Sequence, residues 1–541
     1  MAVVAEGDKV LALNDDDHND AGTRDDRRLL QLVAFSPAIA HWELSENPGA
    51  DGVRDLKPHA WEFDCALLFV DISGFTDLCT RLKIDDLQRH INKYFIMLID
   101  KIVSMGGDIL RFAGDAVLCS WSLKKAEPGE EGNLALMHAA QAACRCAIEL
   151  NSECGTYDIP EIHAMLSIHS GVGVGPANAF RVGTSSRWEF LIAGAQPNNG
   201  VLDQIAAAEG CAERGEAVCS PEVWKLVNKT YVGKARGTDG CMLLEGGEED
   251  GEAGKGENGE AIAPLASRAK VRDKGVTNFV LEEALISNQF LRFQRAQQAH
   301  PALKRDEHIE PLSAYVHDIA RAAIEADVLD FVAEQRSVLT AFCKVDGLEA
   351  ALLAGKGGLE HVQQSIQAAY DCVVKQGGML RQFIQDDKGV VMIWTFGLSK
   401  STKSTFEDMA HCALTTCFDV IAALKDLGLS PRCGITSGTA FCGLVGAKYR
   451  CEYGVMGPSV NLAARLMCAC EKYGVEVLCN DDLYDELVQH HDKSFSFTAF
   501  PPVKVKGYSN PIVFYHPIQT QSWRRSSSVP CLCLCPRSKP E

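Results

Sequence analysis

Basic charge is scarce in this sequence: 53 Lys and Arg stand against 72 Asp and Glu, a net charge of −19 over 541 residues. With no cationic surplus to neutralise phosphates, broad nucleic-acid binding is excluded, and an anionic ligand has to be held locally by metal or by a few cations. An unbroken run of about 20 apolar residues is also missing. The longest apolar region, Ala413 to Leu424, is interrupted by Asp419, so no transmembrane segment is expected. The N-terminus lacks the charged-then-apolar pattern of a signal peptide. The 22 cysteines include no CxxC pair and no evenly spaced framework, which reads as reduced thiols in a cytoplasmic protein.

What is present is ordinary globular composition, 46% hydrophobic and 23% charged, in a chain long enough for two or three domains. Residues 1–60 form an N-terminal segment, expected to be partly disordered, with an acidic run (Asn14 to Asp20) and an apolar stretch (Leu29 to Trp42). Residues 61–243 alternate strand-like and helix-like patterns. Residues 244–276 are dominated by Gly, Glu, Asp, Lys and Asn at their start, which reads as a disordered linker. Residues 277–334 read as a helical inter-domain connection, 335–520 as a second mixed domain, and 521–541 as a disordered tail. In that tail Arg524-Arg525-Ser526 fits a basophilic kinase site, and Cys531, Cys533 and Cys535 fit S-acylation and a weak membrane association.

The chain repeats itself. ILRFAGDAVLCSW (Ile109 to Trp121) returns as MLRQFIQDDKGVVMIW (Met379 to Trp394), SIHSG (Ser167 to Gly171) as GITSG (Gly434 to Gly438), and EFLIAGAQPNN (Glu189 to Asn199) as EYGVMGPSVNL (Glu452 to Leu462). The order is kept at offsets of 270, 267 and 263 residues, which predicts two copies of one fold.

In the first copy, the strand-like run Ala66 to Val70 ends in Asp71, followed by a Ser73-Gly74 turn and a helix-like segment. Two readings of Asp71 stand open: a helix cap, or a cation ligand beside a turn whose amides hold phosphate. Gly114-Asp115 lies between two strand-like runs and predicts a hairpin with the carboxylate at its tip. If that hairpin pairs beside the first strand, Asp71 and Asp115 converge, and a divalent cation with a preference for oxygen, Mg2+ or Mn2+, is the natural third party. In the second copy a helix places Asn461 and Arg465 four apart on one face, suited to gripping a ribose and a developing phosphate charge or, alternatively, to forming a polar surface stripe. Ala341 to Val345 is read as a strand end with no equivalent of Asp71, and Asn198 and Leu202 as the counterparts of Asn461 and Arg465. Each half then lacks what the other retains.

FVDISGFT, GGDILRFAGDAVL and EYGVMGPSVNLAARLM resemble the class III nucleotidyl cyclases, and the two-copy layout resembles the soluble, bicarbonate-responsive adenylyl cyclases. The resemblance covers about Leu29 to Tyr515. It implies an α+β fold of two tandem ferredoxin-like (βαββαβ-type) cyclase domains paired within one chain as a pseudo-heterodimer. It implies conversion of ATP to 3′,5′-cyclic AMP and pyrophosphate at one shared site. Asp71, Asp115 and the carbonyl of Ile72 would hold two Mg2+ ions, with Mn2+ able to substitute, and Ser73, Gly74, Phe75 and Thr76 would bind phosphate. Asn461 would orient the ribose and Arg465 would stabilise charge on the α-phosphate. Arg381, Gly454 and Val455 fall at base-reading positions, and Lys506 at that of a terminal-phosphate lysine. Arg381 and Gly454 depart from both the adenine and the guanine pattern, and ATP is the reading adopted. A basic residue that relatives carry before the Ser-Gly of the first copy is missing, with His163 to Leu166 preceding Ser167. Arg111 replaces the lysine of the family's bicarbonate site, but Val201 replaces its arginine, leaving Arg111 as a candidate regulatory anion site for bicarbonate or another small effector. The alternatives to adenylyl cyclase are a non-catalytic regulatory module of the same fold and a guanylyl cyclase.

Overall fold

The computed structural model describes residues 24–46, 56–75, 78, 81–123, 130–184, 186–245, 254–255, 261–262, 298, 301–329, 333–386, 388–398, 405–489, 493–504 and 511–520. The expectations for Thr76, Lys506 and the 521–541 tail lie outside these residues. So does most of the 244–276 linker, where a two-residue ladder pairs Gly254–Lys255 with Ala261–Ile262. By contact density the chain divides into two compact units. The first draws on residues up to Ala179, on Ser185–Glu334 and on Gly443–Gly454; the second draws on Phe180–Thr184, Gln335–Cys442 and residues from Val455 on.

Two sheets of one design carry the α+β fold. The first contains β1 (His59–Ser73), β2 (Asp108–Ala113), β3 (Ala116–Leu123), β4 (Thr156–Ile159), β5 (Ala164–Thr184), β6 (Arg187–Gly194), β7 (Ala217–Cys219), β8 (Val232–Arg236) and β9 (Cys241–Glu245). Its order is β2-β3-β1-β5-β7-β9-β8. With β10 and β11 denoting the short 254–262 ladder, the second sheet contains β12 (Ala333–Asp346), β13 (Met379–Asp386), β14 (Gly389–Phe396), β15 (Ser430–Ala447), β16 (Arg450–Met456), β17 (Val477–Asn480), β18 (Phe495–Ala499) and β19 (Phe514–Gln519). Its order, β13-β14-β12-β15-β17-β19-β18, matches the first strand for strand. The middle of each central strand is largely apolar and buried, as a stretch covered on both faces must be: Leu67, Leu68 and Val70 of β1 and Leu339, Ala341 and Cys343 of β12 enter the core.

The N-terminal apolar stretch is more ordered than its composition suggested, because its leucines and isoleucine have a core to enter. It forms α1 (Arg24–Val33) and α2 (Ala38–Glu46), with Leu29, Leu32, Ile39 and Leu44 buried. Asp108, fully buried at the start of β2, accepts the Ala38 and Ile39 amides at 3.0 Å each and so caps α2. Burial pushes its carboxyl up, against the pull of those two amides.

The helices expected to bridge the two halves repeat this N-terminal pair. Leading into β12 lie the helices Arg305–Ser313 and Asp318–Glu325. The loop between α1 and α2 accepts the Cys451 amide on the Ala34 carbonyl at 2.8 Å, and the loop of the second pair accepts the Trp188 amide on the Ala314 carbonyl, also at 2.8 Å. Cys451 follows Arg450 and Trp188 follows Arg187 at the start of equivalent strands, so the helical pair belongs to the repeated unit.

The remaining helices that matter for the site are Val201–Cys211, which follows β6, and Pro458–Tyr473, which follows β16. In chain order the helices of the described residues are α1 and α2, α3 (Ile84–Ser104), α4 (Glu130–Cys154), α5 (Val201–Cys211), α6 (Pro221–Val227), α7 (Arg305–Ser313), α8 (Asp318–Glu325), α9 (Glu349–Leu353), α10 (Leu359–Lys375), α11 (Phe406–Asp426), α12 (Pro458–Tyr473) and α13 (Asp481–Gln489). No helix of the described residues is long and apolar enough to cross a membrane.

Candidate active-site residues

Backbone register brings the two carboxylates of the first repeat to one end of its sheet. β1 pairs antiparallel with β3, and Asp71 lies opposite Ala116; β2 and β3 close their hairpin at Ala113 and Ala116, with Gly114-Asp115 as the turn. Asp115 therefore immediately precedes the residue that faces Asp71. After Asp71 the chain turns through Gly74, whose φ of 96° suits a residue without Cβ, while Ile72 and Phe75 anchor the turn in the core at 1% and 4% exposure. Two half-buried carboxylates beside a tight turn are an oxygen-rich donor set that suits a hard divalent cation.

The second repeat corrects the expectation that it lacks a counterpart of Asp71. Ala66 faces Trp121 in the first sheet and Ala341 faces Trp394 in the second. The aspartates Asp71 and Asp346 stand at the same distance beyond these alanines, each at the end of its strand. What differs is the surroundings. Asp346 pairs with Lys344 Nζ at 3.2 Å and with Arg432, and the turn position of Asp115 is held by Lys388. An internal ammonium and guanidinium thus neutralise the acid of the second repeat.

The alignment of SIHSG with GITSG is also corrected. The Ser170 amide donates to Glu216 O at 3.0 Å where the Cys433 amide donates to Glu476 O at 2.7 Å, and Gly171 pairs with Val218 where Gly434 pairs with Leu478. The run Gly171 to Gly175 is therefore the partner of Gly434 to Gly438, and His169 is the partner of Arg432. The first repeat thus carries a histidine where the second carries an arginine. The His169 Nε2 lies 2.9 Å from Glu209 Oε1 and 3.6 Å from Asp71 Oδ2.

On α12, Asn461 and Arg465 are half-buried on one face while Val460, Leu462, Ala463, Leu466 and Met467 enter the core. The helix starts with Pro458 at its first position and ends at Gly474 in the left-handed conformation, favourable choices at each end. Close approach of β15 fixes the helix. A Cβ on Gly434 would meet the Ala463 carbonyl oxygen and the Met467 amide nitrogen at 2.2 Å each, so only glycine fits. Gly434→Ala is expected to destabilise the second unit by about 1–3 kcal/mol, since backbone atoms cannot yield as a side chain would; thermal unfolding checks this.

Gly171 makes the equivalent approach to α5, against the Ile205 carbonyl and the Glu209 amide. It follows that Asp203 and Ala207, not Asn198 and Leu202, stand where α12 has Asn461 and Arg465. The connection from β6 to α5 spans residues 195–200, whereas Gly457 alone joins β16 to α12. Asn198 lies in this longer loop, and Leu202 is buried in the first turn of the helix. Asp203 Oδ2 accepts the Gly200 amide at 3.0 Å as a helix cap. The first repeat does lack the arginine, at Ala207.

Residues 389–517 match the adenylate and guanylate cyclase catalytic domain family. That match lies wholly within the second repeat. The chain is 24% identical to the adenylate cyclase type 10 of Rattus norvegicus over 504 residues, 90% of this chain and 28% of that protein. The Homo sapiens adenylate cyclase type 10 is 24% identical over 498 residues, 87% of this chain and 27% of that protein. The chain thus spans little more than a quarter of the length of these relatives. Among solved structures, a class III adenylyl cyclase-like ATP-binding protein from Pseudomonas aeruginosa aligns over 79% of this chain and 85% of its own, with a TM-score of 0.48 and 14% identity.

The family match takes in Gly454, Val455, Asn461 and Arg465 and begins after Arg381. Arg381 is buried at a β-bulge between Leu380 and Gln382, whereas Arg111 directly follows a bulge that lies nearer the hairpin turn. With the turns superposed, the two arginines occupy different positions of their hairpins. Arg111 is itself buried, and Glu189 lies in its field: burial pushes the Glu189 carboxyl up, against the pull of Arg187, paired at 2.7 Å, and of Arg111. Gly454 and Val455 are buried in β16, and Gly454 has no side chain with which to read a base. Sequence reasoning missed His169, Glu209, Asp346 and Arg432; the doublets Val70-Asp71 and Val345-Asp346 were the available signal for one of them.

Proposed function

We propose that the chain is an adenylyl cyclase that converts ATP to cyclic AMP and pyrophosphate. The observation that carries this reading is the pairing of Asp71 and Asp115 at one sheet end, beside the turn 72–75, in a chain that also presents Asn461 and Arg465 on one helix face. Asp71, Asp115 and the Ile72 carbonyl hold Mg2+, for which Mn2+ substitutes. The bound cation supplies Lewis acidity for attack of the ribose 3′-OH on the α-phosphate. The amides of Ser73 to Phe75 hold phosphate oxygens. Asn461 orients the ribose through its amide, and Arg465 places its guanidinium where negative charge grows on the α-phosphate. ATP is preferred because Arg381 and Gly454 offer no carboxylate with which to select guanine.

Incubation of the purified protein with ATP or GTP, in Mg2+ or Mn2+, tests the reading. Cyclic AMP in excess over cyclic GMP is expected, and absence of both under either metal would leave a non-catalytic regulatory module. Bicarbonate at matched ionic strength is expected to leave the rate unchanged. Arg111 shares its buried surroundings with the Glu189 carboxyl, which already occupies the field of Arg111 and Arg187 that an added anion would have to enter.

A further inference from the structure

We propose that Asp71, His169 and Glu209 form a binding site for a borderline transition-metal ion, Zn2+ by donor chemistry, within the first repeat. One ligand atom from each lies within 4.8 Å of the other two. A metal bonded at about 2.0–2.2 Å to nitrogen and oxygen holds its ligand atoms roughly 3.5 Å apart, so the 2.9 Å and 3.6 Å separations at His169 need only small side-chain adjustments. The three residues come from β1, β5 and α5, whose mutual packing is set by the close approach of Gly171 to α5. All three are half-buried, which leaves a path for an ion.

One imidazole with two carboxylates is a donor set used by zinc sites, and the imidazole favours Zn2+ over Mg2+. The second repeat shows that the fold does not require this trio. At the same three positions it carries Asp346, Arg432 and Met467: the acid is kept, while the other two are a guanidinium that pairs with it and a thioether buried at 1% exposure. The same strand and helix pack there without any ligand set. In the first repeat both positions hold metal-binding groups that touch each other.

Asp71 is also assigned to the Mg2+ of the cyclase reading, and one consequence rests on that assignment. An ion held by His169 and Glu209 draws Asp71 away, so Zn2+ suppresses Mg2+-supported turnover.

Binding is tested without reference to activity. The chelator-stripped full chain is titrated with Co2+ as a spectroscopic probe, then with Zn2+ in competition. Many thiols are present, so the site is isolated as the difference between the wild type and two variants. His169→Arg copies Arg432, placing a guanidinium that cannot ligate a metal beside Asp71; Glu209→Gln keeps the shape and removes the charge. Both are expected to remove weak visible bands typical of nitrogen and oxygen ligation. Both should also weaken Zn2+ binding at this site by at least about tenfold, the lower end of what even an outer-shell change costs. Their circular dichroism and melting should match the wild type. Co2+ spectra and Zn2+ affinity identical in all three proteins would overturn the proposal. Zn2+ binding that depends on His169, in a protein that forms no cyclic nucleotide, would uphold the site and overturn only the reading of catalysis.

Discussion

Purified Arg465→Ala protein is expected to form cyclic AMP about a hundred- to a thousandfold more slowly than the wild type, a loss of roughly 2.7–4 kcal/mol of transition-state stabilisation. The size of the effect follows from timing. A guanidinium aimed at the α-phosphate acts on charge that exists fully only as the new bond forms, so its removal lowers kcat with little change in KM. Arg465 is half-buried on a helix whose core face is made by other residues, and its loss should leave the melting temperature nearly unchanged. A proportionate fall in stability, or an equal fall for the uncharged and for a Lys replacement with KM alone affected, would remove Arg465 from the chemistry.

Arg450→Met is the second large effect, and it falls on stability. Arg450 is 2% exposed, the largest charged side chain buried to that degree in the described core. Its guanidinium donates to the Ile109 carbonyl at 2.8 Å, the Leu110 carbonyl at 3.1 Å, the Cys451 carbonyl at 2.9 Å and Glu452 at 2.7 Å, and lies 5.2 Å from the Phe112 ring centre. The carbonyls of Ile109 and Leu110 flank the bulge of β2, where no ladder partner is available to Leu110. Methionine fills much of the volume but leaves these carbonyls and the Glu452 carboxylate without their donor. The expected loss is on the order of 3–5 kcal/mol, read as a lower unfolding transition of the first unit. A variant that melts like the wild type would show that water or a neighbour takes over those acceptors.

Much of the fold was legible from local patterns. Trp121 and Trp394 end similar strings, and their strands do hold the same place in two sheets of the same order. The Gly114-Asp115 turn was readable because a two-residue hairpin loop between apolar runs has a strong local signature. The errors came where equivalence depended on partners far along the chain. SIHSG and GITSG look alike, yet their ladder bonds to Glu216 and Glu476 show that they sit four residues out of step. Asn198 resembles Asn461 because each stands four residues after a glycine, Gly194 and Gly457, but a longer loop in the first repeat leaves Asn198 short of the helix. Asp346 is hard to recognise from the sequence because the strand-like run Ala341 to Val345 stops one residue before it, and only the pairing of Ala341 with Trp394 aligns it with Asp71.

By itself the sequence determined that there are two copies of one α+β unit, that the chain carries no basic surplus and no long apolar span, and that acids, an amide and an arginine stand at motif positions. Residue type and short-range periodicity suffice for those conclusions, since a strand or a helix declares itself over a few residues. Only the tertiary structure decided what each charged group faces. It set Asp346 against Lys344 and Arg432 while setting Asp71 against His169 and, through it, Glu209. The reason is that neighbours across a sheet are chosen by register and loop length, which one inserted residue can shift without leaving a mark on local composition.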